Sequence, residues 1–279
     1  MKIGPVQIGE KLAPKVLGII NASPESFYKA SVRTGEREIA AVAKKMQRDG
    51  AHMIDIGAMS TAPYLETVIP IKEEIRRMRQ AVRVVKGACD LPVSADTPRA
   101  LVAEEAIAAG ADAVNDVTGL KHDHRMAGVI AKAGVPVIIG AYSRTPATGR
   151  LAGTVKALKE SLAIAKIAGI KEMAVDPSIG FFREEGKNPF FTKMTDVPWY
   201  ARDIEVLNKL DRLAALGPVC VSASRKSFIG HLLNVKGDDR LVPSIMCETM
   251  AVLNGASIIR THSVHETVQA LTMLQLLSP

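Results

Sequence analysis

Aromatic residues are scarce in this chain: they make up 4% of its 279 residues, with a single Trp. Its hydrophobic share of 47% must therefore come mainly from Val, Ile, Leu and Ala, the usual filling of barrel interiors. Cysteine is scarcer still. Cys89, Cys220 and Cys247 stand far apart with no Cys-x-x-Cys or Cys/His ligand spacing, which argues against a disulfide framework or a structural zinc site. No apolar stretch reaches the ~18 residues of a membrane span. The opening Met1-Lys-Ile-Gly-Pro5 has no signal-like apolar core. The expectation is reduced thiols, no membrane contact and a cytoplasmic setting. A Gly-x-Gly-x-x-Gly after an apolar run and a Walker A sequence are both missing, which counts against a dinucleotide or P-loop fold. The net charge is +7, yet no Lys/Arg arm is present. The densest basic stretch, from Lys72 to Arg79, mixes signs and reads as a solvated helix face. Small anions, not nucleic acid, are the expected partners.

What the chain does have is a regular series of short apolar runs, most of which stop at a polar or charged residue. They are Val16–Ile20 before Asn21, Met53–Ile54 before Asp55, Pro92–Ala95 before Asp96, and Ala111–Val114 before Asn115. Val135–Ile139 lies ahead of Tyr142, Met173–Val175 before Asp176, Pro218–Val221 ahead of Ser224, and Ala256–Ile259 before Arg260. Continuous apolar runs mark parallel strands covered on both faces. Between them, apolar residues recur at helical spacing over 35–49, 71–86, 99–109, 124–134, 154–168, 198–216, 243–254 and 265–277. Strands alternating with helices predict an α/β fold, and eight such units in roughly 250 residues predict a (β/α)8 TIM barrel. One barrel domain would occupy residues 1–279, with a short N-terminal hairpin or lid over Lys2–Lys15 turning at Gly9-Glu-Lys11. A doubly wound sheet is the alternative fold. The connections Asn21–Thr34, Ala58–Pro70, Gly140–Gly153 and Ser178–Asp196 are long and rich in Ser, Pro, Arg and Gly. All four would lie at the carboxyl ends of the strands, where barrels build their chemistry.

At those ends Asp55, Asp96, Asn115 and Asp176 would converge, with Arg225, Lys226, Arg260 and His262 as cations nearby. Carboxylates only accept hydrogen bonds, whereas an amide donates and accepts. A flat heterocycle carrying alternating N–H and C=O groups, guanine-like or pterin-like, matches that set. The basic group suits phosphate. Ser224-Arg-Lys-Ser-Phe-Ile-Gly230 adds a small-residue turn opening a helix, whose free N–H groups attract an anion. The plainer reading is that these acids and bases merely pair with one another at the barrel end.

The chain resembles the dihydropteroate synthase family of pterin-binding barrels from about Val16 to Leu277. The resemblance is carried by Asn21-Ala-Ser-Pro-Glu-Ser-Phe27, Ile54-Asp-Ile-Gly57 with Ser60-Thr-Ala-Pro63, and Ser94-Ala-Asp-Thr97. It continues in Gly110-Ala-Asp-Ala-Val-Asn-Asp116, Asp176-Pro-Ser-Ile-Gly-Phe181, the Ser224–Gly230 motif and Arg260-Thr-His262. It implies a transferase that joins 6-hydroxymethyl-7,8-dihydropterin pyrophosphate to an arylamine with release of pyrophosphate, assisted by Mg²⁺, in a homodimer formed through outer helices. By the same resemblance Asp96, Asn115, Asp176 and Lys226 would hold the pterin. Asn21 would meet Mg²⁺ and the pyrophosphate, Arg260 and His262 would bind the pyrophosphate, and Thr61, Pro63 and Ser227 would lie near the arylamine. Asp96, Asp176, Lys226, Arg260 and His262 would carry the catalysis. The chain departs from the family at Ala62, where Arg is usual, at Phe182-Arg183, at Gly140-Ala-Tyr142, and in lacking a glycine pair after Phe27. These departures leave room for a larger amine, such as the ribosyl-phosphate arylamine of methanopterin synthesis, with Arg144, Arg150, Arg183 and Lys187 as candidate phosphate readers. Two other functions remain open at this point: a pterin-dependent corrinoid methyltransferase and a non-catalytic pterin-binding protein.

Overall fold

The computed structural model describes residues 1–25 and 35–277. The chain opens with a hairpin, β1 (Lys2–Ile3) antiparallel to β2 (Val6–Gln7). Strands and helices then alternate: β3 (Lys15–Asn21), α1 (Glu36–Arg48), β4 (Met53–Gly57), α2 (Ile71–Ala88), β5 (Val93–Asp96) and α3 (Ala100–Ala108). They continue as β6 (Ala113–Asp116), α4 (Met126–Ala133), β7 (Val137–Gly140), α5 (Arg150–Ile167) and β8 (Met173–Asp176). Two minimal strands, β9 (Phe182–Arg183) and β10 (Thr192–Lys193), pair in parallel within the long connection after β8. The rest is α6 (Trp199–Asn208), α7 (Asp211–Ala214), β11 (Val219–Val221), α8 (Ser227–Leu233), α9 (Leu241–Leu253), β12 (Ala256–Thr261) and α10 (Val264–Leu277). The strands close in the order β11-β12-β3-β4-β5-β6-β7-β8, every pair parallel. This is the predicted (β/α)8 barrel, and each of the eight apolar runs forms one of its strands.

Successive side chains in a strand point to opposite faces, and the burial pattern shows which phase faces in. Leu17, Met53, Ala113, Ile138, Ala174, Cys220 and Ile258 pack together with Ile3 and Ile8 inside the barrel. The other phase, including Val16, Ile54, Val114, Ile139, Val175 and Ile259, packs outward against the helices. The helices meet it with one apolar stripe each; α1 buries Ile39, Ala43 and Met46, spaced four and three residues apart. Two residues up each strand, the inward phase becomes Ile19, Asp55, Asn115, Gly140, Asp176, Ser222 and Arg260. Charged groups thus enter the interior near the carboxyl end, and below them Ser94, beside Ala113, is a polar exception.

Four expectations need correction. The hairpin reverses at Gly4-Pro5, between its two strands, while Gly9-Glu-Lys11 makes a second turn leading into β3. The hairpin is also no lid, because Ile3 and Ile8 seal the amino-terminal end of the barrel, opposite the polar mouth. The segment 198–216 is two helices: the Asn254 amide donates to the Leu207 carbonyl at 2.8 Å and takes an acceptor the helix would need to continue. Finally, α5 starts at Arg150, not Thr154. Gly153 reads as loop, yet it lies within the helix, and glycine is needed there because the Thr148 carbonyl passes 2.7 Å from where a Cβ would stand.

Candidate active site

The mouth of the barrel holds two adjoining cavities. The inner one, about 400 Å³, is lined by Asp96, Asn115, Asp176 and Lys226, among others. The outer one, about 720 Å³, is lined by Asn21, Thr61, Pro63, Tyr64, Ser227 and His262, among others. Six residues border both: Thr61, Asp96, Phe181, Ser222, Lys226 and Arg260. The ten residues that the resemblance assigns to pterin, pyrophosphate or arylamine therefore all line one cavity or the other. The four assigned to the pterin share the inner cavity, and those assigned to pyrophosphate and arylamine line the outer one.

Strand register sets this arrangement. Asp96 of β5 lies beside Gly57 of β4 and Asn115 of β6, so three neighbouring strands present their ends at one level. A Cβ on Gly57 would stand 3.4 Å from Asn21 Oδ1 and 3.9 Å from Asp96 Oδ2, so glycine here keeps the space between those groups open. Arg260 Nε donates to Asp55 Oδ2 and Arg260 Nη2 to Asp96 Oδ2, each at 2.6 Å. Asp55 Oδ2 also accepts from the Asn115 amide at 3.1 Å. Asp55 is fully buried and lies beneath the cavities. Its part is to fix Arg260 and to orient Asn115. Asp176 Oδ1 accepts the Ser178 backbone N–H at 2.6 Å. The Lys226 ammonium sits 4.6 Å from the centre of the Phe181 ring, within cation–π range.

The electrostatics follow from crowding charges away from water. Burial drives the Asp96 carboxyl up, to about 7, against the pull of Arg260 and with the help of the Asp55 charge. Burial likewise raises Asp176. It lowers Lys226 to about 8, and the neighbouring Arg260 charge adds to that. Burial also works against the charge on Arg260, but Asp55 and Asp96 more than offset it, so the guanidinium is held more firmly protonated than usual. His262 is pushed well below its ordinary value by burial and by Arg260, Arg225 and Lys226. It is therefore a neutral imidazole at pH 7, not the cation expected from the sequence.

Several other expectations change. Arg225 turns away from the cavities: its guanidinium donates to Ser263 Oγ at 2.6 Å and to Asp238 at 3.2 Å. Arg144 bonds the Lys121 and His122 carbonyls, and Arg150 pairs with Glu205 at 3.4 Å. Neither lines either cavity: Arg144 is taken up by carbonyls of the connection after β6, and Arg150 by a carboxylate of α6. The Lys187 backbone N–H donates to the Pro63 carbonyl at 2.6 Å, but its side chain is exposed and is not among the lining groups. Arg183 does approach the mouth. It stacks 3.6 Å over Trp199 and 5.7 Å from the Tyr64 ring centre, donates to Gly180 O at 3.1 Å, and bonds Ser227 Oγ. Ser26 and Phe27, and the missing glycine pair after them, lie outside the described residues. Sequence reading missed Tyr64 and Phe181 as cavity walls, although Phe181 stands in a quoted motif.

Acceptors and an amide around a narrow inner pocket, with a guanidinium and a neutral imidazole beside a wider outer one, could hold a flat polar ring and an anionic tail, as in an enzyme barrel. The sequence profile described as pterin-binding enzyme matches residues 17–262. The dihydropteroate synthase of Clostridium beijerinckii is 34% identical over 285 residues, covering 99% of both chains. That of Bacillus subtilis is 33% identical, covering 97% of this chain and 90% of the other. Among solved structures, the dihydropteroate synthase of Coxiella burnetii in complex with pteroic acid aligns with a TM-score of 0.81 at 33% identity, covering 94% and 92% of the two chains. The Xanthomonas albilineans dihydropteroate synthase in complex with 7,8-dihydropteroate aligns at 0.79 and 30% identity, covering 95% of each. The chain belongs to the pterin-binding enzyme family, as a transferase of the dihydropteroate synthase type.

Proposed function

We propose that this chain condenses 6-hydroxymethyl-7,8-dihydropterin pyrophosphate with p-aminobenzoate, releasing pyrophosphate, in folate biosynthesis. The observation that carries this reading is the pair of cavities sharing Asp96, Lys226 and Arg260 as a common wall. In it, Asp96 and Asp176 accept from the pterin edge, Asn115 meets it with its amide, and the Lys226 ammonium donates to a ring acceptor. Breakage of the C–O bond leaves positive charge on the pterin methylene and sends the electron pair out with pyrophosphate. Asp96 and Asp176 stabilise the first charge; Arg260, by charge, and His262, as a neutral N–H donor, stabilise the second. The amine nitrogen then forms the C–N bond and sheds one proton. It is already nucleophilic, so Thr61, Pro63 and Ser227 act by positioning it.

Mg²⁺ fits at Asn21. Among the described residues, no group of three or more His, Cys, Asp or Glu could hold a metal. A Mg²⁺ bound mainly by substrate phosphates needs only an oxygen ligand or two from protein, and the side-chain-free Gly57 leaves room beside Asn21 Oδ1. Bound there, the ion would neutralise charge on the departing pyrophosphate. Of the four cations considered as readers of a ribosyl phosphate, only Arg183 reaches the outer cavity's walls, which favours the smaller amine over the methanopterin precursor. The deciding assay follows pyrophosphate release with pterin pyrophosphate, Mg²⁺ and either amine. No release with p-aminobenzoate overturns the reading.

The homodimer is also part of the proposal. Val242, Met246, Met250 and Leu253 lie along one exposed face of α9, with Met273, Leu276 and Leu277 exposed on neighbouring α10. Apolar residues gathered on one face mark an interaction surface. Sedimentation of the wild type as a dimer and of Met246→Lys as a monomer would support it; a monomeric wild type would refute it. No helix among the described residues is long and apolar enough to cross a membrane. Cys89, Cys220 and Cys247 are all free thiols, which suits the cytoplasm.

A further inference from the structure

We infer that Arg202 and Asp203, adjacent residues of α6, are positioning residues that hold the inner-cavity wall in the shape the pterin requires; this rests on the reading of that cavity as the pterin site. Both side chains are fully buried and pair at 2.9 Å. Neither lines a cavity. A buried ion pair is seldom a net source of stability, because desolving two charges costs about as much as their attraction returns. What this pair contributes is the placement of its remaining donors and acceptors. The guanidinium donates to the carbonyls of Pro177 and Ser178, and to Thr154 Oγ1 at 2.8 Å. It also lies 3.9 Å over the Phe182 ring. Asp203 Oδ2 accepts the Gly180 N–H at 2.9 Å.

Three backbone groups of one five-residue turn, from Asp176 to Gly180, are therefore fixed by these two side chains. That turn supplies Asp176, Ser178 and Ile179 to the inner cavity. It also carries Ser178 at φ +54°, in the left-handed region that a non-glycine residue seldom occupies, two residues before Gly180 at φ +85°. The Ser178 N–H is bonded to Asp176 Oδ1 at 2.6 Å. Strain of this kind persists only where the surroundings over-determine it, and Arg202–Asp203 supplies that constraint. The residues assigned to the anionic tail stand on other strands, Asn21 on β3 and Arg260 on β12, or just past one, His262 after β12, so their placement does not depend on the pair.

The test measures binding of 6-hydroxymethylpterin and, separately, of inorganic pyrophosphate with Mg²⁺ by calorimetry in the wild type, Asp203→Asn and Arg202→Lys. Amide hydrogen exchange at Gly180 is followed alongside. Loss of one hydrogen bond to a charged group should weaken pterin binding at least about tenfold, with faster exchange at Gly180 and unchanged pyrophosphate binding. Leu213→Ala, in the outer packing layer, serves as a control for general destabilisation and should change neither affinity. If Asp203→Asn does not fold, Arg202→Lys carries the test, and failure of both to fold counts against the inference, since their effect would then be on the fold as a whole. Pterin binding at wild-type strength in a folded variant, or a parallel loss of both ligands, also overturns it. A wild type that binds no pterin would instead sink the functional reading.

Discussion

At the amino-terminal end of the barrel the inward side chains are Leu17, Met53, Ala113, Ile138, Ala174, Cys220 and Ile258, sealed by Ile3 and Ile8. Two residues along, the inward positions of those strands include Asp55, Asn115, Asp176 and Arg260. What differs is that the side chains below pack mainly on apolar neighbours, with Ser94 beside Ala113 as the polar exception, whereas the charges above are hydrogen-bonded. Arg260 faces both Asp55 and Asp96, and Asn115 leans on Asp55. The comparison separates two tasks. The lower level holds the barrel shut by burial, and the upper level holds charges ready for a ligand through mutual pairing.

The largest effect that would sharpen this division is expected from Arg260→Ala. Removing one partner of a buried pair costs about 3–5 kcal/mol, and here two carboxylates are stranded at once. Urea unfolding should show that loss; a variant as stable as wild type would mean the upper level contributes nothing to the fold. Next, Ile3→Ala should cost about 2–5 kcal/mol, as large-to-small changes in a packed core do, while leaving pterin affinity at the mouth unchanged. A drop in affinity at wild-type stability would break the separation between the two ends. Third, Asp176→Ala should reduce pterin affinity about a hundredfold, the loss of one or two charge-assisted bonds, with little change in unfolding midpoint. Unchanged affinity by calorimetry would remove Asp176 from the pterin pocket. The smallest effect is with pH. Asp96 must lose its proton to accept from the pterin, so affinity falls as pH drops through about 7. Lys226 must keep its proton to donate, so affinity falls again as pH rises through about 8. A bell centred between those values is expected, its acid limb flattened in Asp96→Asn. A flat profile would show that neither protonation matters to binding.

Much of this was legible in the sequence, and the reason is periodicity. An apolar run that ends on Asp55, Asp96, Asn115 or Asp176 reports both a strand and the end at which its polar group emerges, because a strand covered on both faces has nowhere else to place one. What stayed hidden depends on contacts between distant parts of the chain. Asp55 and Arg260 are 205 residues apart, and nothing in either segment names the other. The placement of Ile3 and Ile8 in the barrel floor is likewise invisible, since Val6 and Ile8 alternate as they would in a lid. Arg202 and Asp203 sit in Trp-Tyr-Ala-Arg-Asp-Ile-Glu, which reads as an ordinary wetted helix face. Only the fold shows both to be enclosed.

The six residues common to the two cavities constrain how this site can change. An inhibitor confined to the outer lobe touches Pro63, Tyr64 or Ser227, which do not border the inner one. Resistance can arise at those positions without disturbing pterin recognition. An inhibitor that grips Asp96, Lys226 or Arg260 offers no such escape, because these residues border both cavities and, under the proposed reaction, a replacement there that repels the drug would also repel the substrates.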